Sequence, residues 1–243
     1  MNFSPIISPK DSHKTTPAIA LFGGGGKTSL LYQFGKDLSF KDQKILLSSI
    51  VKAGPSPYFQ FHFAHPSRPI QYLFDKDNPI YIMKEKIRND KYIGFESDEL
   101  IPWLNDVDIC LFEADGARDL PLKAHHQYDP ILPSYTTQAI IVIGADAVNT
   151  KLSDGKIHRP GLFKEMWNMS TDSLIDVKLI TEVTTTKKGY LAKIHESIEK
   201  TYFINKADAY PQNAQRLAES IAHQNCGSVY FGSVKEKWWK KAS

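Results

Sequence analysis

Residues 19–28 read Ile-Ala-Leu-Phe-Gly-Gly-Gly-Gly-Lys-Thr, an apolar run that breaks into four glycines and a Lys-Thr pair just before a helical pattern begins. Few local sequences restrict a fold more, because a buried strand, a tight glycine turn and a helix must follow one another without a gap. This is the layout of a phosphate-binding loop. Glycine amides can turn inward around an anion, Lys27 can reach the β and γ phosphates, and the Thr28 hydroxyl can ligate Mg²⁺. Gly23, Gly24, Gly25, Gly26, Lys27, Thr28 and Ser29 are therefore candidate nucleotide contacts, with Lys27 a candidate catalytic group and Thr28 a candidate metal ligand. The match is incomplete: G-x-x-x-x-G-K-[ST] would place a glycine at position 21, where this chain has Leu21. A plain tight turn is the alternative, since glycine tolerates φ > 0. That alternative gives no reason for Lys-Thr at the helix start.

Strand-like apolar runs recur at 18–22, 44–51, 107–113, 139–144, 177–183, 201–204 and 228–231, most of them continuous rather than alternating. Continuous runs belong to strands covered on both faces, so a mostly parallel sheet is predicted. Helical spacing falls between them, at Leu30, Leu31, Phe34 and Leu38, and at Ala214, Leu217, Ala218 and Ile221 after Pro211. The alternation predicts a three-layer α/β fold like that of phosphate-loop NTPases, formed as a single domain over 1–243. Residues 52–100 break the pattern with Pro55, Pro57, Pro66, Pro69 and Pro79, and with a predicted hairpin pairing 80–84 with 92–96 around Asn89-Asp90. They read as an insertion or lid within the domain.

A net charge of +3 is too mild to require a nucleic-acid partner, and the basic stretch 235–241 reads as a solvated tail. Cys110 and Cys226 offer neither C-x-x-C spacing nor a disulfide framework. Residues 1–14 lack the basic start and apolar core of a signal peptide, and no apolar stretch approaches a membrane span. A cytoplasmic protein contacting neither membrane nor nucleic acid is expected.

The run 106–118 closes an apolar stretch with Glu113 and Asp115, followed by Gly116. In a phosphate-loop fold the neighbouring strand brings an acid to the Mg²⁺ shell, which makes both carboxylates candidate metal ligands and catalytic groups. The alternative is a pair of solvated loop carboxylates. Arg118, next along, is a candidate for stabilising charge on a transferring phosphoryl group. For Lys123 and for His158-Arg159-Pro160, which opens a further helical stretch, an ordinary surface or ion-paired role is equally open. Adjacent His125 and His126, with no third ligand at suitable spacing, read as exposed. Asn205-Lys206-Ala207-Asp208 closes a later apolar run and matches the Asn-Lys-x-Asp signature of guanine recognition. A carboxylate at Asp208 can accept both N1–H and N2–H of guanine, a donor pair that adenine lacks, while Asn205 and the Lys206 stem can brace ring and loop. GTP is thereby favoured over ATP, with an ordinary turn as the alternative. The 231–234 segment, Phe-Gly-Ser-Val, could add backbone contacts to the base.

Taken in order, Phe-Gly-Gly-Gly-Gly-Lys-Thr-Ser-Leu-Leu at 22–31, the 111–133 segment with Glu113-Ala-Asp-Gly-Ala-Arg118, Ile-Ile-Val-Ile-Gly-Ala-Asp-Ala-Val at 140–148, Ile-His-Arg-Pro-Gly-Leu-Phe at 157–163 and Phe-Ile-Asn-Lys-Ala-Asp at 203–208 resemble the YqeC family. The likeness departs after the second strand, where a threonine run is replaced by Leu47-Ser-Ser-Ile-Val-Lys52. The resemblance implies a phosphate-loop fold and an accessory role in maturing a selenium-dependent molybdenum hydroxylase. It also implies nucleotide contacts at Gly23 to Thr28, Mg²⁺ at Glu113 and Asp115, and base contacts at Asn205 and Asp208. The expected activity is slow Mg²⁺-dependent hydrolysis of GTP or ATP, with the hydroxylase or another cofactor-maturation protein as partner. Two alternatives remain: a small-molecule kinase with Asp115 as base, and a scaffold that binds nucleotide without turnover.

Overall fold

In the computed structural model, residues 1–7, 16–39, 43–55 and 58–243 are described. Pro57 of the 52–100 segment and residues 8–14 of the amino-terminal stretch lie outside them. The first apolar run forms β1 (Ala18–Gly23), which passes through the glycine loop into α1 (Lys27–Ser39). Then follow β2 (Ile45–Ser49), β3 (Phe61–Phe63), β4 (Ile80–Met83), a hairpin of β5 (Glu85–Arg88) and β6 (Lys91–Ile93), and the single-turn α2 (Ile101–Leu104). Next come β7 (Ile109–Glu113), β8 (Leu122–Lys123), β9 (Gln138–Gly144), β10 (Thr150–Lys151), β11 (Ile157–His158), α3 (Pro160–Trp167), β12 (Leu174–Ile175) and α4 (Val177–Thr185). The chain finishes with β13 (Glu199–Asn205), α5 (Pro211–Ala222), β14 (Ser228–Ser233) and β15 (Trp238–Lys241).

Among the described residues, nine strands share one sheet in the order β15-β14-β13-β9-β1-β7-β2-β4-β3. All neighbours are parallel except β14 and β15. Every residue of β1, β2, β7 and β9 is buried, which explains their unbroken apolar character. Successive side chains feed two cores. Ile19, Leu21, Leu47, Leu111 and Val142 face α1 through Leu30, Leu31 and Phe34, while Ala20, Phe22, Phe112, Ile141 and Ile204 face α3, α4 and α5. The result is a three-layer α/β molecule. β1 lies between β7 and β9, and the chain crosses from one side of β1 to the other between them, so the crevice at the carboxyl end of β1 is where such a sheet holds a ligand.

Three expectations differ from the structure. The 177–183 run is helical, not a strand: Asp176 caps α4 by accepting a hydrogen bond from Leu179 N at 2.8 Å, and Ile180, Val183 and Thr184 form its buried stripe. Its Thr181 and Thr184 hydroxyls donate to carbonyls one turn back, which quiets these β-branched side chains within a helix. In the 52–100 segment, β4 does not pair across Asn89-Asp90 but joins β2 and β3 in the main sheet, and the hairpin at that turn is the shorter β5–β6 pair. The basic carboxyl-terminal stretch includes the edge strand β15, where Lys240 and Lys241 discourage further pairing.

Candidate functional site

Where the motif would have its first glycine, Leu21 is buried inside β1, and the strand continues to Gly23. The loop is therefore short and held close to the sheet. Gly23 N donates to the Asp115 carboxylate at 3.1 Å, Gly24 N to Val142 O at 2.9 Å and Gly25 N to Leu120 O at 2.9 Å. Those amides hold the loop to its neighbours, so the expectation that Gly23, Gly24 and Gly25 wrap an anion with their N–H groups narrows to the next turn. The first helical bond of α1 is Leu30 N to Gly26 O at 3.1 Å, which leaves the amides of Lys27, Thr28 and Ser29 as the open donors of a helix start. Thr28 is exposed and Ser29 half-buried at the cleft surface.

Glu113 ends β7 beneath that turn. The Thr28 hydroxyl donates to Glu113 Oε1 at 2.6 Å, joining the two side chains expected to share a cation. Burial raises the Glu113 carboxyl above its usual range, opposed by Lys27 and by the Thr28 hydrogen bond. Asp115 is wholly buried with both oxygens engaged: Oδ1 meets Lys27 Nζ at 3.1 Å, and Oδ2 meets Lys123 Nζ at 3.2 Å and His125 Nε2 at 2.7 Å. Burial alone would raise this carboxyl; Lys27, His125 and Lys123 outweigh it and hold the group well below the carboxylate range. Lys27 Nζ also donates to Gly23 O at 2.7 Å. Asp115 thus holds cations in place, and Glu113 is the acid with a cleft-facing partner in Thr28.

The groups behind Asp115 are more buried than their polar sequence suggests. His125 is not exposed: its side chain is 7% accessible, and burial lowers its pKa despite the carboxylate it touches. Its neighbour His126 is exposed, as expected. Tyr190 brackets β8, its hydroxyl accepting from Lys123 N and donating to Lys123 O, each at 3.0 Å, with its ring edge-on to His125. Asp129 pairs with Lys123 and takes both its oxygens to Arg159 Nη1, at 2.9 and 2.8 Å. The readable signal was spacing: Asp115, Lys123, His125 and Asp129 lie within one short segment. Nothing local marked Tyr190.

The structure does not bring the whole Asn-Lys-x-Asp motif to the cleft. Asn205 is buried and braces the glycine loop, donating to Gly25 O at 2.8 Å and accepting from Val234 N at 3.1 Å. Lys206 adopts a left-handed backbone and reaches Asp146 at 2.9 Å. Asp208 is exposed, and none of these three lines the main cleft. Arg118 does line it, exposed and left-handed. The cleft holds about 1790 Å³ and runs from Gly25–Ser29 past Glu113 and Asp115 to His158 and Arg159, with Arg88, Asp90 and Lys91 of the hairpin on its rim. Among the described residues, no three His, Cys, Asp or Glu side chains form a metal cluster. No described helix is long and apolar enough to cross a membrane.

Fold and site together define a three-layer α/β protein whose main cleft opens at the head of the first helix. The YqeC protein family matches residues 19–161, more than half of the chain, from within β1 to the start of α3, and this chain belongs to that family. It is also similar to the uncharacterized protein YqeC of Escherichia coli (strain K12), with 22% identity over 248 residues that cover 96% of this chain and 93% of the relative.

Proposed function

We propose that this chain binds a nucleoside triphosphate with Mg²⁺ at the head of α1 and works as a slow GTPase or ATPase that assists maturation of a selenium-dependent molybdenum hydroxylase. The observation that carries the nucleotide part is the 2.6 Å contact between Thr28 and Glu113 under an open helix start, with Lys27 beside it. The client is what the family resemblance implies. In this reading the amides of Lys27, Thr28 and Ser29 take phosphate oxygens, and Lys27 turns from Gly23 O toward the β and γ phosphates. Thr28 and Glu113 are two oxygen donors suited to Mg²⁺, which binds few protein ligands and fills its shell with phosphate and water. When bound, the cation neutralises charge on the triphosphate. Glu113 also orients the attacking water, and Asp115 is a positioning residue that sets Lys27 rather than a further metal donor.

A small-molecule kinase is the second reading, favoured by the size of the cleft. Its volume of about 1790 Å³ exceeds the roughly 300–1,000 Å³ usual for one small ligand. Titrating fluorescent GTP and ATP analogues with Mg²⁺ into wild type, Lys27→Ala and Asp208→Ala tests the main reading. Lys27→Ala should weaken both nucleotides about tenfold or more, as loss of a charge-assisted hydrogen bond does. Asp208→Ala should weaken GTP alone if the exposed carboxylate closes on the base. Equal affinities in all three proteins would overturn both assignments.

A further inference from the structure

We infer that the cleft wall carrying Arg118, His158 and Arg159 is a second ligand subsite, in which these three side chains receive the oxyanion of a small organic molecule such as a phosphate monoester. The subsite goes beyond nucleotide binding and stands whether or not a triphosphate occupies the loop.

Two separate stretches of chain supply it. Arg118 follows β7, His158 ends β11 in register with Lys123 of β8, and Arg159 leads into α3; all three line the cleft that also contains Lys27, Thr28 and Ser29. Two of them are held in a backbone conformation that side chains disfavour, with φ of 50° at Arg118 and 61° at Arg159. Such strain persists where surrounding structure enforces it and gathers at ligand sites.

Charge is left over on this wall. Asp115 and Asp129 are shared among Lys27, Lys123 and Arg159, and Arg118 has no acidic partner among the described residues. Asp119, next to Arg118 on the cleft, forms no ion pair with it among the described residues. His158 registers the excess: burial, then Lys123, Arg159 and Arg118, lower its pKa, with Asp115 the acid acting against them. Arg159 spends Nη1 on Asp129 and on Ala124 O, so Nε and Nη2 remain to form the planar fork that fits an oxyanion. On the same rim Tyr128 is 72% exposed and stacks on His126 at 5.2 Å, an aromatic face for the organic part of the ligand. The cleft volume accommodates this molecule beside a nucleotide.

Calorimetric titration of phenyl phosphate into the full chain tests the subsite, comparing wild type with Arg118→Gln, His158→Asn and Lys27→Ala, each checked for folding by its melting midpoint. Saturable binding in wild type, weakened about tenfold by Arg118→Gln and by His158→Asn and retained by Lys27→Ala, is expected. Should His158→Asn fail to fold, the exposed Arg118 decides alone. The inference is overturned by an absence of saturable binding in wild type or by Arg118→Gln binding as wild type does. Loss with Lys27→Ala also overturns it, because the anion then belongs to the glycine loop. A failed nucleotide titration leaves these outcomes readable, so the two proposals can fail separately.

Discussion

Asp115 shows how one buried carboxylate can organise a cleft wall without being exposed in it. It is 0% exposed and touches Lys27, Lys123, His125 and the Gly23 amide. Asp115→Asn preserves shape but leaves the buried Lys27 ammonium without its carboxylate and Lys123 with Asp129 alone, a change that costs about 3–5 kcal/mol. Urea unfolding should report that loss, and a difference below about 1 kcal/mol would remove Asp115 from the centre of the network. The same cluster sets the acid response. His125 has its pKa lowered by burial, so below about pH 6.5 the unfolded chain takes up a proton that the folded chain refuses, and stability falls as pH drops from that value toward the folded pKa. Asp115, with a depressed folded pKa, contributes fully above about pH 3.9 and loses its contribution as pH falls toward its folded value. Acid should therefore destabilise in two stages. Unfolding free energies measured between pH 5 and 7 should flatten in His125→Asn; the slope that remains is the balance of His158, whose lowered pKa acts with the same sign, and Glu113, whose raised pKa opposes it. An unchanged slope in that variant would contradict the assignment.

At the level of elements, the glycine loop is both the most legible feature and the least forgiving. Gly25 has φ +81°, and a Cβ there would stand 2.2 Å from Gly144 N at the end of β9. Gly155 has a similar φ of +70° with nothing within 4 Å, so it isolates the backbone term. Gly155→Ala should cost only the left-handed penalty of about 1–2 kcal/mol, whereas Gly25→Ala adds a clash that β9 cannot easily relieve. Thermal unfolding should separate the two variants; equal losses would show that the loop can shift away from β9. Periodicity alone located β1, β7, β9 and α1, because continuous burial and a strand-to-helix switch are written in adjacent residues. It misread α4, where Val, Ile and Thr suggested a strand and the structure has a helix capped by Asp176. For β4, sequence could show an extended apolar segment but not that its partner lay at Leu46 and Leu47 rather than across the nearest turn. The candidate site divides in the same way. Lys27, Thr28 and Glu113 follow from motif logic, while the burial of His125 and the part played by Tyr190 depend on contacts between distant segments.

For the whole molecule, the sheet fixes one side of the cleft and the 52–100 segment borders the other. Its β3 and β4 extend the rigid sheet, so the part free to respond to a ligand is the β5–β6 hairpin, whose outer strand is exposed throughout. The hairpin is tied to the strand-end loop after β2 by paired backbone bonds, Ala53 N to Tyr92 O at 3.1 Å and Tyr92 N to Ala53 O at 2.9 Å, and Lys84–Glu99 anchors its base. Arg88 and Lys91 on its rim carry charge toward the same cleft as Lys27. A triphosphate at the head of α1 would attract both cations across the opening, drawing the hairpin inward while the sheet stays fixed. Hydrogen exchange with and without a Mg²⁺-triphosphate analogue should then slow at 88–92 as well as at the α1 start, with Arg88→Ala reducing the effect at the hairpin alone. Protection confined to 26–29 would mean that the nucleotide is gripped by the loop only and that the insertion serves as a fixed wall. The distinction bears on mechanism, because a wall cannot relay the state of the nucleotide to a partner protein, whereas a hairpin that closes on the triphosphate presents a different outer surface in each state.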